Sequence, residues 1–227
     1  IAAEKKRIAI ATSPGTTRLT NENCTPYTIH YAYDTYALSA GTVETLVKRG
    51  LDSWYFLTID FAGGHAIEKD ASTFVNAGGG KVLGAARHPI EATDFASYVL
   101  QAQASKAKVV GFATAGQSAI NAIKTAGEFG LGKNKVLAGL YVFITDVHSL
   151  GLNVAQGMYV TTGFYWDRDE PSRKWARRYF EKTKRMPSMV QAADYSATMH
   201  YLKAIQAAGT DDSDAVMKKM RETPVND

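Results

Sequence analysis

The chain has 227 residues, of which 45% are hydrophobic and 21% are charged, as is usual for a folded globular protein. Its formal net charge of +4 is too small to favour nucleic acid as a partner, and its single cysteine, Cys24, excludes an internal disulfide and a multi-cysteine metal site. The longest apolar run, Val136–Ile144, is far shorter than the ~20 residues needed to span a bilayer.

Apolar runs of strand length alternate with helical patterns over most of the chain. The predicted strands are Arg7–Ala11, Tyr27–Tyr31, Ser53–Ile59, Lys81–Ala85, Lys108–Ala113, Val136–Val142 and Met158–Thr162. The helices predicted between them are Thr35–Lys48, His65–Ala77, Asp94–Ser105, Gln117–Phe129 and Asp146–Ala155. Most of the strands are continuous apolar or β-branched runs, which is typical of a parallel sheet buried on both faces. The pattern predicts a doubly wound α/β fold.

The sequence beyond the last predicted strand is helical. Its predicted helices are Pro171–Thr183, Met189–Ala208 and Asp212–Glu222. Pro171 suits the first position of a helix, and Asp94 can cap an earlier one through its carboxylate. Gly50, Gly130 and Gly209 are placed where helices end, because glycine adopts the left-handed backbone of that position readily.

Four stretches at predicted strand ends contain the residues of interest, since ligands of doubly wound sheets bind beyond the carboxyl ends of the strands. They are "IATSPGTTRLT", "TIDFAGGHA", "FATAGQSAI" and "VFITDVHSL". The glycine pair Gly63-Gly64 matches neither G-x-G-x-x-G nor G-x-x-x-x-G-K-[ST], and Glu68 and Asp70 would repel a phosphate. A tight turn entering a helix is the favoured interpretation.

Ser118 raises the alternative of a serine hydrolase. A nucleophile elbow needs glycines on both sides of the serine, but only Gly116 fits and Ile120 stands at the second position. Asp194 and His200 follow in the expected order for a triad, without a supporting motif. Ser118 is more simply a residue at the start of a helix.

Two further patterns have ordinary interpretations. Asp146 and His148 lack the accompanying histidines or carboxylates of a metal site, so we expect no metal. The basic stretch "RKWARRYFEKTKR" places its aromatic residues on one helical stripe and its cations outside, which indicates a solvated helix face.

The "SPGTT" loop combines hydroxyl groups with a glycine. Ser13, Thr16 and Thr17 can donate hydrogen bonds, and Gly15 lets backbone N–H groups approach a ligand closely. Such a loop can hold a carboxylate, and an ordinary surface loop remains an equal alternative on the residues alone.

Taken in order, these segments resemble the type I periplasmic solute-binding proteins of ABC importers. The resemblance rests on "KKRIAIATSPGTTRLT", "PYTIHYAYDTYALSAG", "WYFLTIDFAGGHAIEKD", "KVVGFATAGQSAINAIKTAGEFGL" and "MPSMVQAADYSATMHYLKAI". The chain is most similar to the branched-chain amino-acid-binding branch, and its "YDTYALS" segment is similar to that of aromatic-acid binders.

The resemblance implies an architecture of two lobes that close on a ligand. Residues 1–33 and 164–227 would belong to lobe 1, and residues 34–163 would form lobe 2. The chain has no signal peptide and no initiator methionine, and relative to the family it lacks the first β-α units and the closing strands. We therefore expect an internal fragment with lobe 1 incomplete.

The resemblance also implies the binding residues. Gly15 and Thr17 would hold the carboxylate of the ligand, with Ser13 and Thr16 adjacent. The turn at Phe61, Ala62 and Gly63 replaces a family aromatic residue by Gly63. A tyrosine of the next strand end is replaced by Ala115 and Gly116. Asp146 lies near the acid that amino-acid binders keep for an ammonium group.

The small residues predict a pocket enlarged for a bulky ligand. The side chains of Tyr33, Phe61, Tyr165 and Trp166 can surround an aromatic guest. We therefore expect a monomeric, non-enzymatic periplasmic subunit, without cofactor or nucleic acid, that binds an aromatic carboxylate and delivers it to a membrane permease. The alternatives are an amino-acid binder that uses Asp146, a ligand-sensing regulatory domain and the serine hydrolase.

Overall fold

The alternation of strand and helix patterns is realised as seven strands and ten α-helices in a computed structural model, which describes residues 1–225. The strands are β1 (Ala9–Ala11), β2 (Thr28–His30), β3 (Ser53–Ile59), β4 (Lys81–His88), β5 (Val109–Ala113), β6 (Val136–Gly139) and β7 (Tyr159–Val160). The helices are α1 (Ala2–Lys5), α2 (Thr35–Lys48), α3 (Ala62–Ala77), α4 (Ala96–Ala104), α5 (Gly116–Glu128), α6 (Ile144–Leu150), α7 (Leu152–Ala155), α8 (Glu170–Thr183), α9 (Met189–Ala208) and α10 (Ser213–Glu222).

The chain separates into two compact units. Unit 1 is Ile1–Asp34 together with the chain from Gly163 onward, and unit 2 is Thr35–Thr162. Unit 2 is one continuous segment, whereas unit 1 is assembled from two segments that are far apart in sequence.

Unit 2 is built on a five-stranded parallel sheet in the order β4-β3-β5-β6-β7. The prediction of a parallel α/β sheet is confirmed. Successive side chains of β3 point to opposite faces and nearly all are buried, as expected for a central strand. On one face, Tyr55 and Leu57 pack with Phe112 of β5 and with helices α4 and α5 through Val99 and Ile123.

Helix α2, the first element of unit 2, contacts the chain that follows β7, the last strand of that unit. Thr42 in α2 and Thr161 just after β7 share a hydrogen bond of 2.7 Å between their hydroxyl groups. Gly41 allows this approach, because a β-carbon placed on it would lie 2.6 Å from Oγ1 of Thr161.

Unit 1 contains the two-stranded parallel sheet β1–β2, with Ile10 paired to Ile29. Its core joins Tyr27, beside β2, to Ala204 of α9 and to Val216 and Met220 of α10. The hydroxyl of Tyr27 donates a hydrogen bond of 2.6 Å to Asp214, so residues from both segments of the unit hold it together.

Helix bounds follow the sequence where an end signal exists. Helices α2 and α9 have the predicted bounds, and Gly50, Gly130 and Gly209 have the positive φ expected at helix ends. The carboxylate of Asp94 accepts the Ala96 N–H at 2.9 Å, as predicted for a cap.

Other bounds differ from the prediction for local reasons. The helix predicted over Asp146–Ala155 is divided into α6 and α7 at Gly151, whose φ of 78° interrupts the helix. Strand β6 ends at Gly139, and the side chain of Val142 lies close to that glycine, where a β-carbon would be 2.8 Å from Cβ of Val142. Helix α8 begins one residue before Pro171, and Asp169 caps it by accepting the Ser172 N–H at 2.9 Å.

Within residues 1–225, no helix has both the length and the apolar character that crossing a bilayer requires.

Candidate functional site

The sheet of unit 2 contains a topological switch point between β3 and β5. The chain leaves β3 through α3 toward β4 and leaves the neighbouring β5 through α5 toward β6, in opposite directions across the sheet. Between two such strands the connecting chain diverges and leaves a crevice at their carboxyl ends. The turns that border it are Asp60–Gly63, the β3 turn, and Ala115–Gly116, the β5 turn.

The β3 turn presents an aromatic ring over a glycine. Phe61 directly precedes α3, and its side chain is 40% exposed. A β-carbon placed on Gly63 would lie 2.6 Å from Cζ of Phe61. The sequence predicts that the missing side chain of Gly63 opens space for a ligand, but the ring of Phe61 occupies that space. Ala62, between these two residues, is exposed.

Gly64 has a different role from Gly63. A β-carbon on Gly64 would overlap the carbonyl oxygen of Ile59, at the end of β3. The helix thus begins directly against the strand, and only glycine permits this approach. Beside it, Asp60 and His65 form an exposed pair, with 2.7 Å between Oδ1 and Nε2.

The β5 turn consists of small residues. Ala115 is the extended residue before α5, and Gly116 is exposed with a φ of 58°, a conformation that favours glycine. The turn therefore presents backbone and a methyl group, with no large side chain.

Ser118 is an internal structural residue of unit 2. It is buried, and its hydroxyl donates a hydrogen bond of 3.2 Å to the Ile90 carbonyl. The proposed triad partners Asp194 and His200 belong to unit 1, where the His200 ring bonds the Met220 carbonyl at 2.9 Å. These contacts give Ser118 and His200 structural partners and no support for the hydrolase alternative.

Asp146 is engaged at the start of α6. Its Oδ2 accepts the N–H of Phe143 at 2.9 Å, which caps the helix. Burial raises the pKa of this carboxyl above 3.8, against the opposing effect of the Phe143 hydrogen bond. Such a group is a less ready counter-ion for an ammonium group than an exposed carboxylate.

The predicted carboxylate loop lies in unit 1, after β1. Two side chains hold its backbone: the Tyr33 hydroxyl donates to the Ser13 carbonyl at 2.6 Å, and Nε2 of His30 donates to the Pro14 carbonyl at 2.6 Å. Gly15 is buried within the loop. Tyr33 is only 9% exposed, so it braces the loop.

Thr16 and Thr17 differ in what they offer. The Thr16 hydroxyl accepts the Arg18 N–H at 3.4 Å, which caps a single turn of 3-10 helix over Thr17–Leu19. Within residues 1–225 the Thr17 hydroxyl makes no such internal hydrogen bond, although the Thr17 carbonyl accepts three. Thr17 is therefore the better donor toward a ligand.

Tyr165 and Trp166 precede α8 in unit 1, with ring centroids 5.7 Å apart. A cavity of about 730 Å³ lies near them, bounded by α8, α9 and residues 31–32 and 163–164. None of the predicted site residues lines it. This cavity of unit 1 and the predicted carboxylate loop are thus separate features.

Two polar residues behind the unit 2 turns were not singled out by the sequence patterns. His88, the last residue of β4, and Thr114, which follows β5, are both 0% exposed, and Nε2 of His88 lies 3.1 Å from the Thr114 hydroxyl. In the sequence, the feature that could have identified this pair is the polar Thr114 directly after the apolar strand β5.

Within the part of the chain that the structure describes, no three His, Cys, Asp or Glu side chains cluster in a way that could hold a metal ion.

Comparisons with known proteins extend over the whole chain. The family profile described as "Periplasmic binding protein" matches residues 1–227. A solved periplasmic binding protein from Burkholderia mallei is 55% identical with a TM-score of 0.93, covering 100% of this chain and 60% of that one. A comparison with curated protein sequences gives no match.

Two further solved structures are similar. A branched chain amino acid ABC transporter periplasmic ligand-binding protein from Burkholderia xenovorans is 34% identical with a TM-score of 0.89, covering 100% of this chain and 61% of that one. A solute-binding protein of an ABC transporter from R. palustris, in complex with benzoate, is 18% identical with a TM-score of 0.87, covering 96% and 61%. The chain spans about 60% of the length of these relatives.

Proposed function

The chain belongs to the periplasmic binding protein family, and from that premise we propose that it is part of the substrate-binding subunit of an ABC importer that captures a small aromatic carboxylate. The observation that carries this proposal is the topological switch point between β3 and β5, with Phe61 in the turn after one strand and small residues in the turn after the other.

The aromatic preference rests on the two turns of unit 2. Phe61 is 40% exposed and offers an apolar ring, and aromatic pairs favour offset or edge-to-face contact. Ala115 and Gly116 leave room opposite for a ring. The fold, which is all that 18% identity establishes, holds benzoate in the R. palustris protein.

The carboxylate preference rests on the loop of unit 1. The loop is fixed by Tyr33 and His30, so the Thr17 hydroxyl and the neighbouring N–H groups need little reorganisation to receive an anion. In this proposal Ser13, Gly15 and Thr16 shape the loop, and Tyr165 and Trp166 supply further rings.

An amino acid is the second candidate ligand. It is favoured by the 34% identical Burkholderia xenovorans relative, whose name refers to branched chain amino acids. The helix-capping role of Asp146 and its raised pKa favour the aromatic acid instead.

The remaining parts of the proposal follow from the family. We assign the protein to the periplasm, as a monomeric subunit that binds and does not convert its ligand. Its macromolecular partner is the membrane permease of an importer, and neither a cofactor nor nucleic acid takes part.

A thermal-shift and calorimetric comparison of benzoate, 4-hydroxybenzoate, leucine and valine with the full-length protein tests the ligand class. A ligand present at about 100 times its Kd stabilises the folded state by about 2.7 kcal/mol. We expect a rise in melting temperature with the aromatic acids and a smaller one or none with the amino acids. The reverse order would assign the protein to amino acids and refute the aromatic proposal.

A further inference from the structure

His88 lies directly behind the two turns that border the crevice of unit 2. Its side chain is fully buried, and its ring makes edge contacts with Phe95, at 4.8 Å between centroids, and Tyr98, at 5.9 Å. A buried polar ring needs hydrogen-bond partners for both of its nitrogens.

The hydrogen-bond partners of His88 are the residue that follows it and residues at the ends of two other strands. The ring nitrogen Nδ1 lies 2.9 Å from the Pro89 carbonyl, and Nε2 lies 3.1 Å from the Thr114 hydroxyl, next to the β5 turn. The backbone carbonyl of His88 accepts a hydrogen bond of 2.8 Å from the N–H of Asp60, and Asp60 is the first residue of the β3 turn. One residue on β4 therefore bonds to the chain beside both turns.

We propose that His88 is a positioning residue that links the β3 turn to the β5 turn through Asp60 and Thr114, and so sets the geometry in which the ligand ring is held. This inference rests on the proposed function, because it assigns the two turns to one ligand. It does not depend on which aromatic acid is bound.

The hydrogen bonds define the form of the imidazole that performs this role. A carbonyl oxygen only accepts, so Nδ1 carries the proton. Burial favours the uncharged imidazole, in which Nε2 has a free lone pair and accepts from the Thr114 hydroxyl. This is the neutral ring.

Burial lowers the pKa of His88 below 6.5, while the Pro89 carbonyl and the Asp60 carboxylate act in the opposite direction. The groups that face the ring are Tyr98 from α4, Thr114 after β5 and Asp60 after β3, and Asp60 is already paired with His65. On its own strand, Arg87 pairs with Glu68. As pH falls below 6.5, the unfolded chain takes up a proton that the folded site resists, so this contribution to stability decreases toward acid pH.

Substitution of Thr114 tests the link with little change in shape. Thr114→Val removes the hydroxyl and leaves Nε2 of His88 without its donor. Thr114→Ser keeps a hydroxyl on the β-carbon of residue 114. With benzoate as the probe, we expect Thr114→Val to raise the calorimetric Kd by about threefold to thirtyfold. Thr114→Ser should recover most of that loss.

His88→Gln and His88→Asn separate the two ring nitrogens, because the amide of glutamine reaches the position of Nε2 and that of asparagine the position of Nδ1. We expect Gln to retain more benzoate affinity than Asn. As pH falls through about 6.5, only the wild type should lose stability through this group, and His88→Gln should have a flatter profile. A buried histidine that served packing alone would give equal losses in both variants.

Hydrogen exchange without ligand makes the inference testable even if benzoate does not bind. Thr114→Val should speed amide exchange in residues 60–64 and 115–118 together, and leave α9 of unit 1 unchanged. Failure of benzoate to bind the wild type, with this coupled exchange present, would refute the ligand class and leave the link established. Unchanged exchange in the two turns, or equal acceleration throughout unit 2, would overturn the role of His88.

Discussion

At the scale of single residues, Phe61 and Gly63 act as a pair. The aromatic ring rests on the glycine because Gly63 has no β-carbon to exclude it. Gly63 also lies inside α3 and is not among the glycines with positive φ, so its backbone conformation is open to other residues. The value of this glycine is that it leaves room for the tip of the Phe61 ring beside the start of α3.

Replacing the Phe61 ring tests whether aromatic contact contributes to binding. Phe61→Leu keeps an apolar side chain of similar size and should weaken benzoate binding by about 0.5–1.5 kcal/mol, measured by calorimetry. Phe129→Leu is the matched control. Phe129 is exposed to a similar extent, at 39%, but it follows the C-terminal end of α5, away from the β5 turn. Equal affinity in all three proteins would remove Phe61 from the site.

The Thr17 hydroxyl is the residue-scale test of the carboxylate loop. Thr17→Val preserves the shape and should weaken binding of a carboxylate by about 1–3 kcal/mol, the range for a lost hydrogen bond to a charged group. The control is Thr73→Val, since Thr73 is exposed on α3 and its hydroxyl bonds only the Lys69 carbonyl of its own helix. If the two variants bind benzoate alike, the loop has another purpose.

At the scale of elements, the positions of helix starts against strand ends decide where the turns lie. Helix α3 begins at Ala62, three residues before the predicted start at His65, because Gly64 allows the helix to abut β3. The connection is therefore short, and the β3 turn is held close to the sheet.

Two helical glycines provide a matched test of this contact. Gly64→Ala should destabilise the protein by about 1–3 kcal/mol in urea unfolding, because the added methyl group meets backbone at the end of β3. Gly127→Ala in α5 should be neutral or stabilising by up to about 1 kcal/mol, since its methyl would lie 3.5 Å from Val154. Similar destabilisation by both would mean that the helix start can shift.

Elements with clear end signals could be predicted from the sequence, as α2 and α9 show. The break between α6 and α7 could not, because the same residue type, glycine, is tolerated within helices elsewhere, as Gly127 is in α5. For the candidate site, the sequence located the strand ends. It could not indicate that the Phe61 ring covers Gly63 or that His88 bonds Thr114, because such contacts depend on how separate segments pack.

At the scale of the whole molecule, the chain crosses between the units twice, after Asp34 and after Thr162. Unit 2 has its own sheet and its own core of residues from β3, β5, α4 and α5. Unit 1 depends on contacts between residues far apart in sequence, such as the Tyr27–Asp214 hydrogen bond.

We expect residues 35–162 to fold when expressed alone. The isolated segment should show a single cooperative urea transition, and hydrogen exchange should protect β3 and β5 most strongly. A segment without cooperative unfolding would mean that unit 2 needs the rest of the chain.

The hydrogen bond between Thr42 and Thr161 has a consequence for the order of folding during synthesis. A ribosome completes unit 2 before it reaches the second segment of unit 1. Until that segment has been synthesised, β1 and β2 lack the helices α9 and α10 with which they form the unit. Once unit 2 has folded, the contact of α2 with the residue after β7 limits the distance between the two points where the chain leaves the unit. Folded unit 2 then acts as a short connection between the two segments of unit 1. The loop-closure entropy lost when α9 and α10 pack against β1 and β2 is correspondingly small. Loss of that contact in Thr161→Val should slow the refolding of unit 1 more than that of unit 2.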